Sequence, residues 1–225
     1  MTNKNIFVAC DVSNHKEIVD LLELIHEDIS GIKIGLQYIT QRSPEEIREL
    51  SKFKKPIFYD GKFFDIKNTL VQSIKSLKNL NVNYATVHLL NGLDALKAAN
   101  QAAQKINLNL LGVSVLTSFA DKDLESLGFS SKVEDQVKRL IKIAMESNLF
   151  GVICSPLEIK MIKKIAPKLK CFTPGIRMEG AKDDQKRTMN ANDAIKEGSD
   201  CLIIGRPIIK GDPKENIKHI LSSIK

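Results

Sequence analysis

Asp60-Gly61-Lys62-Phe63-Phe64-Asp65-Ile66-Lys67-Asn68-Thr69 sets two carboxylates around an ammonium, just after the short apolar run Pro56-Ile57-Phe58-Tyr59. That run reads as a buried strand. Behind the charged stretch, Leu70, Val71, Ile74, Leu77 and Leu80 recur at helical spacing, which predicts a helix over 70–80. The charges therefore stand where a strand hands over to a helix. Charged groups crowded at such a junction are awkward for folding, and they are what a parallel barrel places at its mouth.

The same strand-then-helix unit recurs on both sides. Upstream, residues 6–11 read as a strand ending in Asp11, followed by an amphipathic helix over 16–29 that Ser13 or Asn14 caps. Gly31–Gly35 is a second strand and carries Lys33. Ser43-Pro44-Glu45-Glu46 opens the next helix, with serine as cap and proline in the first turn. Downstream, strands are expected at 84–89, 109–116, 151–154, 170–173 and 200–204. Helices are expected at 92–105, 133–147, 156–166, 192–197 and 213–224, with a polar excursion over 117–132 and a long Gly- and charge-rich loop over 174–189. The strands are near-continuous apolar runs, as in a parallel sheet covered by helices. Eight alternating units in 225 residues predict an α/β fold, a (β/α)8 TIM barrel spanning 1–225 as one domain. The rival is an open doubly wound sheet, but no GxGxxG follows the first strand.

Composition narrows the class. The chain is 43% apolar and 27% charged, ordinary for a soluble globular protein. Met1 to Asn5 is polar, and the first apolar run, 6–10, is too short for a signal peptide or for the roughly 20 residues of a membrane span. No membrane partner and a cytoplasmic location are expected. Cys10, Cys154, Cys171 and Cys201 lie in apolar runs without a CxxC, so they read as reduced core residues. The net charge of +7 invites a nucleic-acid reading. The lysines are scattered and not interleaved with aromatics, so solvated helix faces explain them better and no nucleic-acid partner is expected. His15, His26, His88 and His219 are dispersed, which argues against a metal site. His15, His26 and His219 are expected to face solvent, while His88 ends a strand and either lines the pocket or caps it.

In a barrel the loops after the strands share one face. Asp11, Asp60, Lys62, Thr117, Gly175 and Gly205-Arg206 all end or follow strands, and Lys33 points inward by strand alternation. Any one of them alone reads as a cap or a snorkelling side chain; together they converge on one pocket. Unit charges about 4 Å apart interact by roughly 4 kcal/mol at an effective dielectric near 20, so alternating signs keep Lys62 protonated and Asp60 and Asp65 ionised. A protonated lysine in a dry pocket stabilises a developing carbanion and then donates a proton. An aspartate beside it repels an anionic carboxylate. Gly175-Ile176-Arg177 and Gly205-Arg206 follow the last two strands, where this fold commonly holds phosphate. Exposed backbone N–H groups and a guanidinium fork suit that anion, with Gln185 and Arg187 closing over it.

These pieces resemble the orotidine 5′-phosphate decarboxylase family. The matching stretches run in family order: Val8-Ala9-Cys10-Asp11, Ile32-Lys33-Ile34-Gly35, the Asp60–Thr69 motif, Val87-His88, Val115-Leu116-Thr117-Ser118, Gly151-Val152-Ile153-Cys154-Ser155, Thr173-Pro174-Gly175-Ile176-Arg177, Asp184-Gln185-Lys186-Arg187 and Gly205-Arg206-Pro207-Ile208. DxKxxD alone is shared with related sugar-phosphate barrels; PGIR, DQxR and GRPI make the match specific. The resemblance implies decarboxylation of orotidine 5′-phosphate to UMP with no cofactor and no metal. It implies that Lys62 protonates C6, Asp60 sits near the departing carboxylate, Lys33 holds Asp60 and contacts the ribose, and Asp11 meets the ribose hydroxyls. Thr117 or Ser118 would contact the pyrimidine. Arg177, Gln185, Gly205 and Arg206 would grip the phosphate, with the 175–187 loop closing as a lid. Asp65 and Thr69 would reach a neighbouring subunit's site, which implies a homodimer. The motif departs from the family's usual Leu, His and Pro at Gly61, Phe64 and Lys67; Gly61 is expected to loosen the backbone. A Mg²⁺-dependent 3-keto-gulonate-phosphate decarboxylase or hexulose-phosphate synthase is the alternative enzyme, and it lacks the PGIR and DQxR stretches. A non-catalytic nucleotide- or RNA-binding barrel is the alternative outside enzymes, and the intact Asp60, Lys62 and Asp65 set speaks against it.

Overall fold

Eight apolar runs become strands that pair only in parallel and in sequence order, and β8 returns to β1 to close a barrel. The computed structural model describes residues 5–12, 14–129, 132–177 and 187–224. The strands are β1 (Ile6–Cys10), β2 (Gly31–Gly35), β3 (Ile57–Phe63), β4 (Tyr84–His88), β5 (Asn109–Val113), β6 (Gly151–Ile153), β7 (Lys170–Thr173) and β8 (Cys201–Ile204). Helices between them bury one apolar stripe each; His15–Ile25, for example, buries Ile18, Leu21, Leu22 and Ile25. Among the described residues, no helix is long and apolar enough to cross a membrane.

Local chemistry fixes several boundaries. Ser43 accepts from the Glu46 N–H while the Glu46 carboxylate accepts from the Ser43 N–H, a reciprocal cap that starts Pro44–Glu49. Asp212 caps Pro213–Ser223 in the same spirit, accepting from Lys214 and Glu215. Three expectations are corrected. The helix expected over 16–29 ends at Ile25 and tightens into a 3₁₀ turn, His26–Asp28. The polar excursion over 117–132 contains a helix, Asp121–Ser126, held down by buried Leu124. The third strand does not stop at Tyr59 but runs through Asp60, Gly61 and Lys62 to Phe63.

The barrel interior is layered by the two-residue alternation of each strand. Phe7, Phe58, Tyr84 and Phe172 point inward and meet edge to face or tilted, with ring centroids 5.4–6.4 Å apart. Two residues further along β1, β2, β3 and β4 stand Ala9, Lys33, Asp60 and Thr86. The charged layer therefore rests directly on an aromatic one. Lys33 stands two residues beyond Gly31, and a Cβ on Gly31 would lie 2.2 Å from the Phe7 ring. The ring belongs to a packed aromatic layer and has little room to retreat. Gly31→Ala is expected to lower stability by about 1–3 kcal/mol through overpacking, read as a lower urea midpoint at unchanged m-value.

Candidate active site

A cavity of about 290 Å³ opens at the carboxyl ends of the strands. Asp11, Lys33, Asp60, Lys62, Thr117, Arg177, Gly205 and Arg206 line it, so eight of the expected site residues converge there. Asp65, Thr69 and Ser118 are exposed and stand outside its wall. Gln185 lies outside the described residues.

Four charges form an alternating row. Lys33 Nζ donates to Asp11 Oδ1 at 3.0 Å and lies 3.5 Å from Asp60 Oδ2. Lys62 Nζ donates to the same Asp60 oxygen at 2.8 Å. The other oxygen of Asp60 accepts from the Thr86 hydroxyl at 2.9 Å. Lys33 and Asp60 are buried, at 6% and 8% exposure, while Asp11 is open to solvent. Burial pushes the Asp60 carboxyl up, but the Lys33 and Lys62 charges and the bonds from Lys62 and Thr86 outweigh it and hold the group below its ordinary value. Burial likewise works against the Lys33 ammonium, and the Asp60 and Asp11 carboxylates overturn it, so Lys33 stays charged above the ordinary lysine range.

The backbone that carries this row is unusual. The β3–β4 ladder breaks register between Tyr59 and Phe63, and Lys62 takes a left-handed φ of 48°. Sequence reading placed the looseness at Gly61 and a loop at Asp60; the irregularity falls on Lys62 instead. Gly61 is small for a packing reason, since a Cβ there would lie 2.8 Å from the Tyr59 ring, which stacks on Phe63 at 5.8 Å. Asp65 sits beyond the strand end with its N–H on Asn91 Oδ1, and among the described residues no cation pairs with it. The ion cluster expected around Lys62 therefore uses Asp60, Lys33 and Asp11, not Asp65.

The same cavity is also lined by Gly175, Arg177, Gly205 and Arg206, with Gly205 on the β8 side of Asp11. Arg187, expected to close over an anion there, does other work. Its guanidinium pairs with the buried carboxylate of Glu158 and donates to the Val115 and Leu116 carbonyls, the latter at 2.8 Å. Ser155 Oγ donates to the Arg187 carbonyl at 3.3 Å. The end of β5, the turn after β6 and the return of the 174–189 loop are thereby tied together. Burial raises the Glu158 carboxyl, with the Arg187 charge opposing. No local signal links the two residues, which are 29 positions apart.

Two of the histidines are corrected too. His15 bridges Tyr38 Oη at 2.6 Å and Glu49 at 3.0 Å, and His26 bonds the Leu22 carbonyl and packs on Phe53. Neither is a free surface group. His88 stands outside the cavity wall and caps a turn by accepting from the Leu90 N–H.

Closed parallel barrel and charged, partly dry cavity together define a (β/α)8 enzyme whose chemistry lies at the carboxyl rim. The chain matches the family described as orotidine 5′-phosphate decarboxylase / HUMPS over residues 4–220. It is 36% identical over 221 residues to an orotidine 5′-phosphate decarboxylase of Wolbachia pipientis subsp. Culex pipiens (strain wPip), covering 97% of this chain and 98% of that one. It is 36% identical over 230 residues to the corresponding protein of Legionella pneumophila (strain Corby), with both chains covered completely. The crystal structure of orotidine 5′-phosphate decarboxylase from Lactobacillus acidophilus superposes with a TM-score of 0.85 at 29% identity, covering 98% of each chain. The chain belongs to the orotidine 5′-phosphate decarboxylase family.

Two outcomes are expected from the charges. Asp60 has its folded pKa below its unfolded one, so its ionised form adds stability as pH rises from about 2 to about 5. Lys33 is shifted upward, so its contribution persists until pH climbs past the ordinary lysine range near about 10. Urea midpoints of wild type relative to Asp60→Asn should therefore climb over about pH 2–5 and stay level to about pH 9. For the buried pair, Arg187→Met alone should destabilise by about 3–5 kcal/mol because it strands Glu158, and adding Glu158→Leu should recover most of that loss in the same assay.

Proposed function

We propose that this chain decarboxylates orotidine 5′-phosphate to UMP, with Lys62 as the proton donor and without metal or organic cofactor. The observation that carries the reading is that the alternating row Asp11, Lys33, Asp60, Lys62 shares one cavity with Gly175, Arg177, Gly205 and Arg206. With the phosphate held by these glycines and arginines, the pyrimidine lies over Lys62 and Asp60. The bond from C6 to the carboxylate breaks, CO₂ leaves with the carboxylate oxygens, and the electron pair stays on C6. Lys62 Nζ, within 2.8 Å of Asp60, gives its proton to that carbon. Asp60, held ionised, stands beside the departing carboxylate. Lys33 locks Asp60 and reaches the ribose with Asp11. Thr117 or Ser118 meets the pyrimidine. Binding energy gathered at the remote phosphate supports the chemistry at the ring.

The family description also covers hexulose-phosphate-type enzymes. The curated relatives at full length favour the decarboxylase. So does the charge row: Lys33 bridges Asp11 and Asp60 and Lys62 pairs with Asp60, so lysines already balance these carboxylates. A homodimer belongs to the same reading. Asp65 and Thr69 are exposed, and Phe64 and Ile66 flank Asp65 at 64% and 73% exposure. Two apolar side chains so exposed suit burial against a second copy, where Asp65 and Thr69 reach the partner's cavity.

The test is the absorbance loss as orotidine 5′-phosphate becomes UMP. Wild type should turn over equally well with and without EDTA. Lys62→Ala should lose turnover by several orders of magnitude while still binding UMP and melting cooperatively. EDTA-abolished turnover would favour the Mg²⁺-dependent alternative, and near-normal turnover by Lys62→Ala would remove Lys62 from the chemistry.

A further inference from the structure

Between β3 and β4 the strands pair at Tyr59↔Ala85 and again at Phe63↔Val87. Asp60, Gly61 and Lys62 thus span an interval that β4 crosses with Thr86 alone. At that break the Lys62 N–H, turned by its left-handed φ, donates to Thr86 Oγ1 at 2.8 Å. The same oxygen lies 2.9 Å from Asp60 Oδ1. A side-chain hydroxyl thereby takes a backbone donor and a carboxylate acceptor at once.

The polarity of these two bonds follows from their partners. A backbone amide only donates, so at Lys62 the Thr86 oxygen accepts. The hydroxyl has one proton, and that proton is left for Asp60. Asp60 Oδ1 accepts it, because Lys33 and Lys62 flank the carboxylate and keep it ionised. Thr86 is fully buried, so bulk water does not replace either bond. A non-glycine residue in the left-handed region persists only when its surroundings over-determine it. Here the bond to Thr86 is one of the restraints, and the side chain so aimed is the proposed proton donor.

We propose that Thr86 is a positioning residue of this active site: its single hydroxyl fixes the backbone that aims Lys62 and, through its proton, the rotation of the ionised Asp60 carboxylate. The inference rests on the reading that Lys62 and Asp60 act on orotidine 5′-phosphate. A residue that only filled volume in the barrel would be replaced by valine without consequence for turnover.

Three variants decide it: Thr86→Ser, Thr86→Ala and Thr86→Val. Serine and alanine differ only by the hydroxyl. The alanine variant should fall at least about tenfold below the serine variant in kcat, with KM for orotidine 5′-phosphate changed less than about threefold. The acid limb of its pH profile should move to higher pH, because Asp60 loses a bond to its charged form. Valine, which keeps the volume and strands the Lys62 N–H, should fall with alanine. If valine prevents folding, the serine-to-alanine ratio alone decides. Serine and alanine variants within about twofold of each other, or valine as active as wild type, would overturn the proposal. An inactive wild type would instead remove the decarboxylase reading and this inference with it; UMP binding to all folded forms checks that the cavity survives.

Discussion

A lysine and an aspartate sunk in a barrel stay charged only if each touches an opposite charge, and that constraint shapes the top of this fold. Stripping an ion of water costs on the order of 20 kcal/mol in the idealised limit and still several after relaxation. Lys33 meets Asp11 on one side and Asp60 on the other, and Asp60 meets Lys33 and Lys62. Neither buried group has a single partner, so no one rotation leaves it bare. The outer members of the row, Asp11 and Lys62, are the more exposed ones. The row thus grades from buried to wet, which lets it sit at a rim. Neighbouring glycines answer to it: a Cβ on Gly35 would lie 2.9 Å from Asp11 Oδ1 and 3.1 Å from Lys33 Nζ.

The layer beneath supplies the other half of the condition. Phe7, Phe58, Tyr84 and Phe172 pack ring against ring in the layer below the charges. Charges on such a floor lose water from one side and keep their mutual attraction at low dielectric. The same floor fixes which residues carry the row, because alternation makes the residue two beyond each floor position the next to point inward. Lys33, Asp60 and Thr86 follow from that parity as much as from their chemistry.

Fold class and strand placement were legible because buried parallel strands read as continuous apolar runs, and Gly31–Gly35 and Lys170–Thr173 were read at their observed bounds. Eight of the residues expected at a site, read from strand ends, the loops after them and Lys33 within its strand, line one cavity. What was not legible depends on contacts remote in sequence. Asp-Gly-Lys reads locally as a turn, yet β4 draws it into the ladder at Phe63↔Val87. Helix Asp121–Ser126 buries one apolar residue, Leu124, too few to set a period. His15 looks like a surface residue until Tyr38 and Glu49 close on it. Arg187 looks like an anion ligand until Glu158 takes its charge.

Three departures from local rules gather in one place. A strand that runs through Asp-Gly-Lys, a lysine at positive φ and a pair of buried charges each break a local rule, and all three occur within one ladder interval and its neighbour strand. At many other points the local rules hold: Ser43 and Asp212 cap their helices, and apolar stripes face the core. A chain that obeys propensity almost everywhere can support a small region that does not. Natural sequences keep such conflicts where function uses them. The combination of conflicts around Lys62 therefore supports the role proposed for it, from backbone geometry and burial and without reference to any relative.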